Sequence, residues 1–264
     1  MKLGAIPILY FERVWRGEMR PEEWYAEAAD VGLEGVELYD SFVGAWSEDA
    51  ILRQADAIRG VGLEVSMYTT YCDFAPRDPA VRAAQRRQVL QGIRSAVLAG
   101  TDIVRVVAGK WVAGQEREET LALVAEGLRD CLDPAEEVGV VLAFEDHPVI
   151  GTAPADFLRI LDLVADERLK VNLDTSNPME SGATVLDLLP QVALRVVHMH
   201  ASDRAADLTH VVTGTGVVPL VKVFKHLKAA GYEGFVSMEI GGPPERASVE
   251  TSTANVRRLW AAAQ

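Results

Sequence analysis

Eight short β-branched runs recur along the chain, each followed by a longer stretch of helical periodicity, and that alternation limits the fold more than any other feature. The runs are LGAIPILY (3–10), GVELY (35–39), EVSMYTT (64–70), DIVRVVAG (102–109), VVLAFED (140–146), LKVNLDT (169–175), RVVHMHASD (195–203) and FVSMEI (235–240). Each is apolar almost throughout, as parallel strands covered on both faces must be. Helical patterns fill 21–32, 48–62, 78–100, 118–139, 154–165, 184–192, 219–231 and 246–263. Pro21 at a first-turn position, with Glu22 and Glu23 behind it, marks one helix start. Gly32, Gly62, Gly100, Gly139 and Gly231 sit just past helices, where a C-cap needs positive φ. Eight strand–helix units in 264 residues match the roughly 250 residues of one closed (β/α)8 barrel. An open doubly wound sheet normally carries a Gly-rich phosphate loop after its first strand, and Ile8 to Arg16 has no GxGxxG. No Pro/Gly/Ser-rich linker divides the chain. The expectation is one α/β domain over 1–264, a (β/α)8 barrel.

Charge and cysteine content narrow the function. Acidic residues outnumber basic ones 39 to 26, for a net charge of −13, which argues against a nucleic-acid partner held through its phosphates. The densest basic group, Arg82, Arg86 and Arg87, shares a predicted helix with Arg94 and reads as a solvated face. No apolar stretch approaches the ~20 residues of a membrane span. The opening MKLGAIPILYFERVW reaches acidic and aromatic residues too early for a secretory signal. With only Cys72 and Cys131, the expectation is a cytoplasmic protein with reduced thiols.

A barrel of this kind builds its active site at the C-terminal strand ends, so the polar residues there are the candidates. The second run holds Glu37; the fourth has Arg105 in its interior and Lys110 just after it. The fifth ends Glu145-Asp146-His147, the sixth Asp174-Thr175-Ser176-Asn177, the seventh His198-Met199-His200, and the eighth holds Glu239. Alternation puts His198 and His200 on one face, and Glu145 and His147 on one face. Carboxylates among the Val, Ile and Leu of a barrel interior cost several kcal/mol unless paired or bound to metal. Three acids and one imidazole converging on one mouth suit a divalent cation. The oxygen-rich set favours Mn²⁺ or Mg²⁺, with Co²⁺, Fe²⁺ and Zn²⁺ admitted by the imidazole.

In order along the chain, GVEL (35–38), LAFEDH (142–147), NLDTSN (172–177), HMHASD (198–203), GTG (214–216) and SMEI (237–240) resemble the sugar phosphate isomerase/epimerase family, the xylose isomerase-like TIM barrels. That group includes ketose 3-epimerases, hydroxypyruvate isomerase, inosose dehydratase and, more distantly, endonuclease IV. The resemblance implies one divalent ion, Mn²⁺ favoured, on Glu145, Asp174, His200 and Glu239, with the two glutamates exchanging the substrate proton. It implies a small-molecule sugar or sugar-acid substrate and leaves a homo-oligomer open. Two positions depart from the pattern. Asn177 stands where many members have His, and Ser202 where many have Lys.

The resulting expectation is a metal-dependent isomerase or epimerase acting through a metal-stabilised cis-enediolate. An inosose dehydratase-like lyase on the same metal site is the alternative, and an endonuclease IV-like nuclease a weaker one, since five histidines are few for three zinc ions. Substrate contacts are expected from Glu37, His147, Asn177, His198, Lys110 and Arg204, with His210 a further loop candidate. Trp15, Trp46 and Trp111 are candidate aromatic walls. No compact Lys/Arg/Gly nest follows the last two strands, so the substrate is expected to be unphosphorylated.

Overall fold

The computed structural model describes residues 1–44 and 46–264. Its strands are β1 (Lys2–Ile6), β2 (Gly35–Tyr39), β3 (Glu64–Thr69), β4 (Ile103–Val106), β5 (Val141–Glu145), β6 (Lys170–Asp174), β7 (Val196–Ser202) and β8 (Phe235–Glu239). They pair in parallel in sequence order, and β1 also pairs with β8, from Lys2↔Phe235 to Ile6↔Glu239. The expected (β/α)8 barrel is therefore closed, with helices between successive strands.

Two expected elements are divided, each by a proline. The run 3–10 is a strand only to Ile6 and then a 3₁₀ helix, Pro7–Tyr10, because Pro7 has no N–H for a ladder bond. The helical stretch 118–139 splits into Arg117–Arg129 and Leu132–Glu136. A continuous helix would set the Pro134 ring against the Asp130 carbonyl and leave that carbonyl without its donor.

Local signals explain the other helices. Pro79–Ala99 begins with Asp78 accepting from the Ala80 amide at 2.8 Å and ends at Gly100 with φ 78°, a left-handed cap that a side chain would strain. Outward strand residues meet the helical shell: Phe144 of β5 stacks on Phe157 of the helix Pro154–Val164, with ring centroids 4.6 Å apart. The lower barrel end is filled by Phe235, whose ring passes so close to Gly35 that a Cβ there would lie 2.7 Å from it. Inward residues of the upper half are polar instead, and they define the site.

Candidate metal centre

Alternation along the strands turns acids and imidazoles inward near the upper ends. Glu145, Asp174 and Glu239 are the last residues of β5, β6 and β8, and His200 lies opposite Asp174 in the β6–β7 ladder. The ligand atoms of these four residues all lie within 4.8 Å of one another. His200 Nδ1 is 2.7 Å from Glu145 Oε1 and 3.3 Å from Glu239 Oε2. Asp174 Oδ1 accepts the Ser176 and Asn177 amides at 2.7 Å each, which orients Oδ2 and leaves it without a hydrogen-bond partner. Glu145 Oε1 has no partner beyond its charge contact with His200 Nδ1. Orphaned carboxylate oxygens at full burial are costly, and a cation between them would satisfy both. The residues fit a divalent ion.

The acid–base state of the cluster points the same way. Burial, then Glu239 and Glu145, push the Asp174 carboxyl up to about 7. Burial lowers the His200 imidazole, but Glu37 and Glu145 together outweigh it and raise the ring well above its ordinary value. Left to itself, the cluster holds protons where positive charge is wanted.

Beneath the cluster lies a network that sets the imidazole. Glu37 Oε1 faces His200 Nε2 at 2.9 Å and His198 Nε2 at 3.1 Å, and accepts the Ser237 hydroxyl at 2.6 Å. Its Oε2 accepts Thr69 Oγ1 at 2.6 Å. Burial pushes the Glu37 carboxyl up, yet His200 and His198 prevail and hold it well below the carboxylate range. In neutral His200 a proton on Nε2 toward Glu37 leaves the Nδ1 lone pair facing Glu145 and Glu239. Glu37, His198 and His200 also form a compact set that could hold an ion, but the Ser237 and Thr69 hydroxyls already occupy the carboxylate, so hydrogen bonding accounts for it.

Arg105 supplies the neighbouring positive charge. Its guanidinium, buried inside the barrel, donates to Glu145 Oε2 at 2.8 Å and to the Thr70 carbonyl at 3.3 Å, and lies 4.4 Å from the Tyr71 ring centroid. Burial opposes ionisation of Glu145, but Arg105 and then His200 hold its carboxyl at about 2. Breaking such a pair from one side costs about 3–5 kcal/mol. Arg105→Met should therefore lower the urea midpoint markedly in chelator and by less with Mn²⁺ present, since the ion would replace the lost charge. An equal loss in both conditions would refute a cation at Glu145.

The sequence profile of the xylose isomerase-like TIM barrels matches residues 25–259. The chain belongs to this family. Among curated relatives, inosose dehydratase of Geobacillus thermodenitrificans is 23% identical over 92% of this chain and 91% of that one. Fructoselysine 3-epimerase of Shigella flexneri is 24% identical over 83% and 84%. Among solved structures, D-psicose 3-epimerase from Clostridium cellulolyticum superposes with a TM-score of 0.81 at 16% identity, over 98% of this chain and 99% of that one.

Within this xylose isomerase-like barrel the residues expected to touch substrate separate into groups. Glu37 and His198 are fully buried below the cluster, where Glu37 meets both His198 and His200 instead of facing the mouth. Asn177 is buried, and its backbone amide serves Asp174. His147 lies at the mouth, edge-on to Tyr71 with centroids 5.3 Å apart. Lys110 is exposed on the wall of a neighbouring cavity. Arg204 is engaged by Glu180 at 2.5 Å and by the Leu208 carbonyl at 3.1 Å. Trp46 donates to Ser95 at 2.8 Å on the helical shell.

Phe11, Tyr39, Tyr71, Asp146 and Asp203 had no role in the sequence reading, whereas His147 and His210 did. An aromatic arc runs from Phe11 through Tyr39 to Tyr71 and His147, with Phe11 and Tyr39 stacked at 4.5 Å and Tyr39 and Tyr71 at 5.8 Å. Tyr39 closes β2 and Tyr71 follows the end of β3, the one signal that marked them. Asp146 Oδ1 accepts the Asp174 amide at 2.8 Å, while burial and then Asp174 raise its carboxyl well above the usual range. Asp203 accepts four backbone amides, from Arg204, Gly214, Gly216 and Val218 at 2.8–3.1 Å, and so shapes the loop after β7. His210 Nε2 meets Ser202 Oγ at 2.9 Å.

Proposed function

We propose that this protein is a divalent-metal-dependent isomerase or epimerase of a small, unphosphorylated sugar or sugar acid. The observation that carries the reading is the convergence of Glu145, Asp174, His200 and Glu239 within 4.8 Å, with two buried carboxylate oxygens unpartnered. Mn²⁺ suits three carboxylates and one imidazole. When bound, the ion would polarise the carbonyl of a chelating ketose and favour loss of the neighbouring proton.

The chain's own residues do the rest. Arg105 pins Glu145 by Oε2, leaving Oε1 toward the cluster, and keeps the carboxylate ionised so that it can accept a proton. Glu239 approaches from β8, well around the ring from β5, and its side chain retains 21% exposure for exchange with solvent. Carboxylates on different strands can take a proton from one side of a carbon and return it on the other. That outcome is epimerisation; return at the adjacent carbon is isomerisation. Glu37 keeps Nδ1 of His200 available, and the arc of Tyr39, Tyr71 and His147 walls the mouth with aromatic faces.

Metal analysis of protein never exposed to chelator tests this reading. The wild type should carry about one divalent ion per chain and Glu239→Gln less; metal in neither would overturn the assignment. Adding Mn²⁺ at a hundred times its dissociation constant should stabilise the chelated protein by about 2.7 kcal/mol in thermal melts.

The dehydratase reading draws support from the likeness to inosose dehydratase along 92% of the chain. Solvent deuterium exchanged into a ketose without loss of water favours the isomerase, and loss of water favours the lyase. The nuclease reading is weaker. Of five histidines, only His200 joins the four-residue cluster, and His226 is exposed on the outer helix Leu220–Ala229.

A further inference from the structure

A cavity of about 430 Å³ opens beside the candidate metal centre, between the loops that follow β3, β4 and β5. That volume lies within the roughly 300–1,000 Å³ range of small-molecule sites. Its walls include Tyr71, His147, Asp73, Gln88 and Lys110. Two of these walls belong to the centre as well. Tyr71 covers the guanidinium of Arg105, which holds Glu145, and His147, two residues past Glu145, stands edge-on to Tyr71. A ligand seated on Glu145 has room for extension past Tyr71 and His147 into this cavity.

The chemistry of the far end is set by charge. Lys110 is exposed and has no carboxylate within 4 Å among the described residues, and the Gln88 amide has no hydrogen-bond partner there. Asp73 on the same cavity has one oxygen engaged by the Ala75 amide at 3.1 Å. One free ammonium opposed by one carboxylate suits a single negative charge and disfavours a dianion.

We propose that this cavity is a carboxylate subsite continuous with the metal centre, so that the substrate is a keto-sugar acid. Its carbonyl and neighbouring hydroxyl lie at Glu145 and Glu239, and its distal carboxylate meets Lys110 with Gln88 beside it. The assignment rests on the proposed function for the reacting end and adds the class of the other end.

Calorimetric titration of the Mn²⁺-loaded protein with D-fructose, D-fructuronate and D-fructose 6-phosphate tests it, because the three differ only at the distal carbon. D-Fructuronate should bind about five- to tenfold more tightly than D-fructose, the gain of a partly exposed charge pair. Lys110→Met should bring that ratio close to one, and Lys110→Arg should keep most of it. Equal affinities in the wild type, an unchanged ratio in Lys110→Met, or no binding of any of the three would overturn the subsite. Tighter binding of the phosphate ester than of the carboxylate would overturn it too, by making the cavity a phosphate site. Metal content measured on the same samples separates these outcomes from failure of the metal assignment, which would appear as protein without bound ion.

Discussion

Glu239→Gln is expected to slow the exchange of solvent deuterium into ketoses by about 10³-fold, within the range lost when a positioned acid–base group is removed. Glutamine keeps the size of the side chain but offers no carboxylate to take a proton and is a weaker ligand. Glu145→Gln should lose exchange to a similar degree and lose stability as well, because Arg105 would then stand buried without its partner at 2.8 Å. Reading metal content and exchange together separates the two duties given to each glutamate. Metal retained with exchange lost assigns proton transfer to the carboxylate itself. Exchange within about threefold of wild type in both variants would remove the pair from the chemistry.

The second large effect is expected at Glu37, which is not a proposed ligand itself but meets the ligand His200 at 2.9 Å. Glu37→Ala would strip partners from His198, His200, Ser237 and Thr69 at once. The loss should reach about 3–5 kcal/mol in urea unfolding, the cost of opening a buried charge network from one side. Glu37→Gln retains one acceptor oxygen and should fold, yet bind Mn²⁺ about 10–100-fold more weakly, as supports of metal-bound histidines do when altered. Unchanged Mn²⁺ affinity in Glu37→Gln would show that the tautomer of His200 is set by something else.

The barrel was legible because each strand is an apolar run of strand length and each helix a separate periodic pattern. The number of units then left closure as the natural solution. What failed locally were Pro7 and Pro134, where a missing N–H stopped an element whose pattern ran on. At the candidate site, residues in strands could be placed because alternation decides which side chains point inward. Alternation pairs Glu145 with His147 and His198 with His200 on common faces, and the resemblance of the strand-end motifs to the family implies the set Glu145, Asp174, His200 and Glu239. Alternation says nothing about depth, however. Glu37 lies lower in the barrel than its polar character suggested, and His198 goes with it. The cavity beyond Tyr71 and the loop organised by Asp203 depend on where loops pack, and loop packing has no period to read.

The division of labour around His200 bears on how the chain becomes active. Every proposed ligand lies on β5 to β8, whereas Glu37 and Arg105, which set tautomer and charge, lie on β2 and β4. Glu37 is made 161 residues ahead of His198 and 200 ahead of Ser237. On the ribosome, the first half of the ring therefore carries a buried-type acid with most of its partners still unsynthesised, and it gains little by closing early. Nor would the second half alone present His200 in the form that receives an ion. Ring closure and the proposed metal capture would then be late, linked events, because the contact of Glu37 with His200 joins the two halves of the ring.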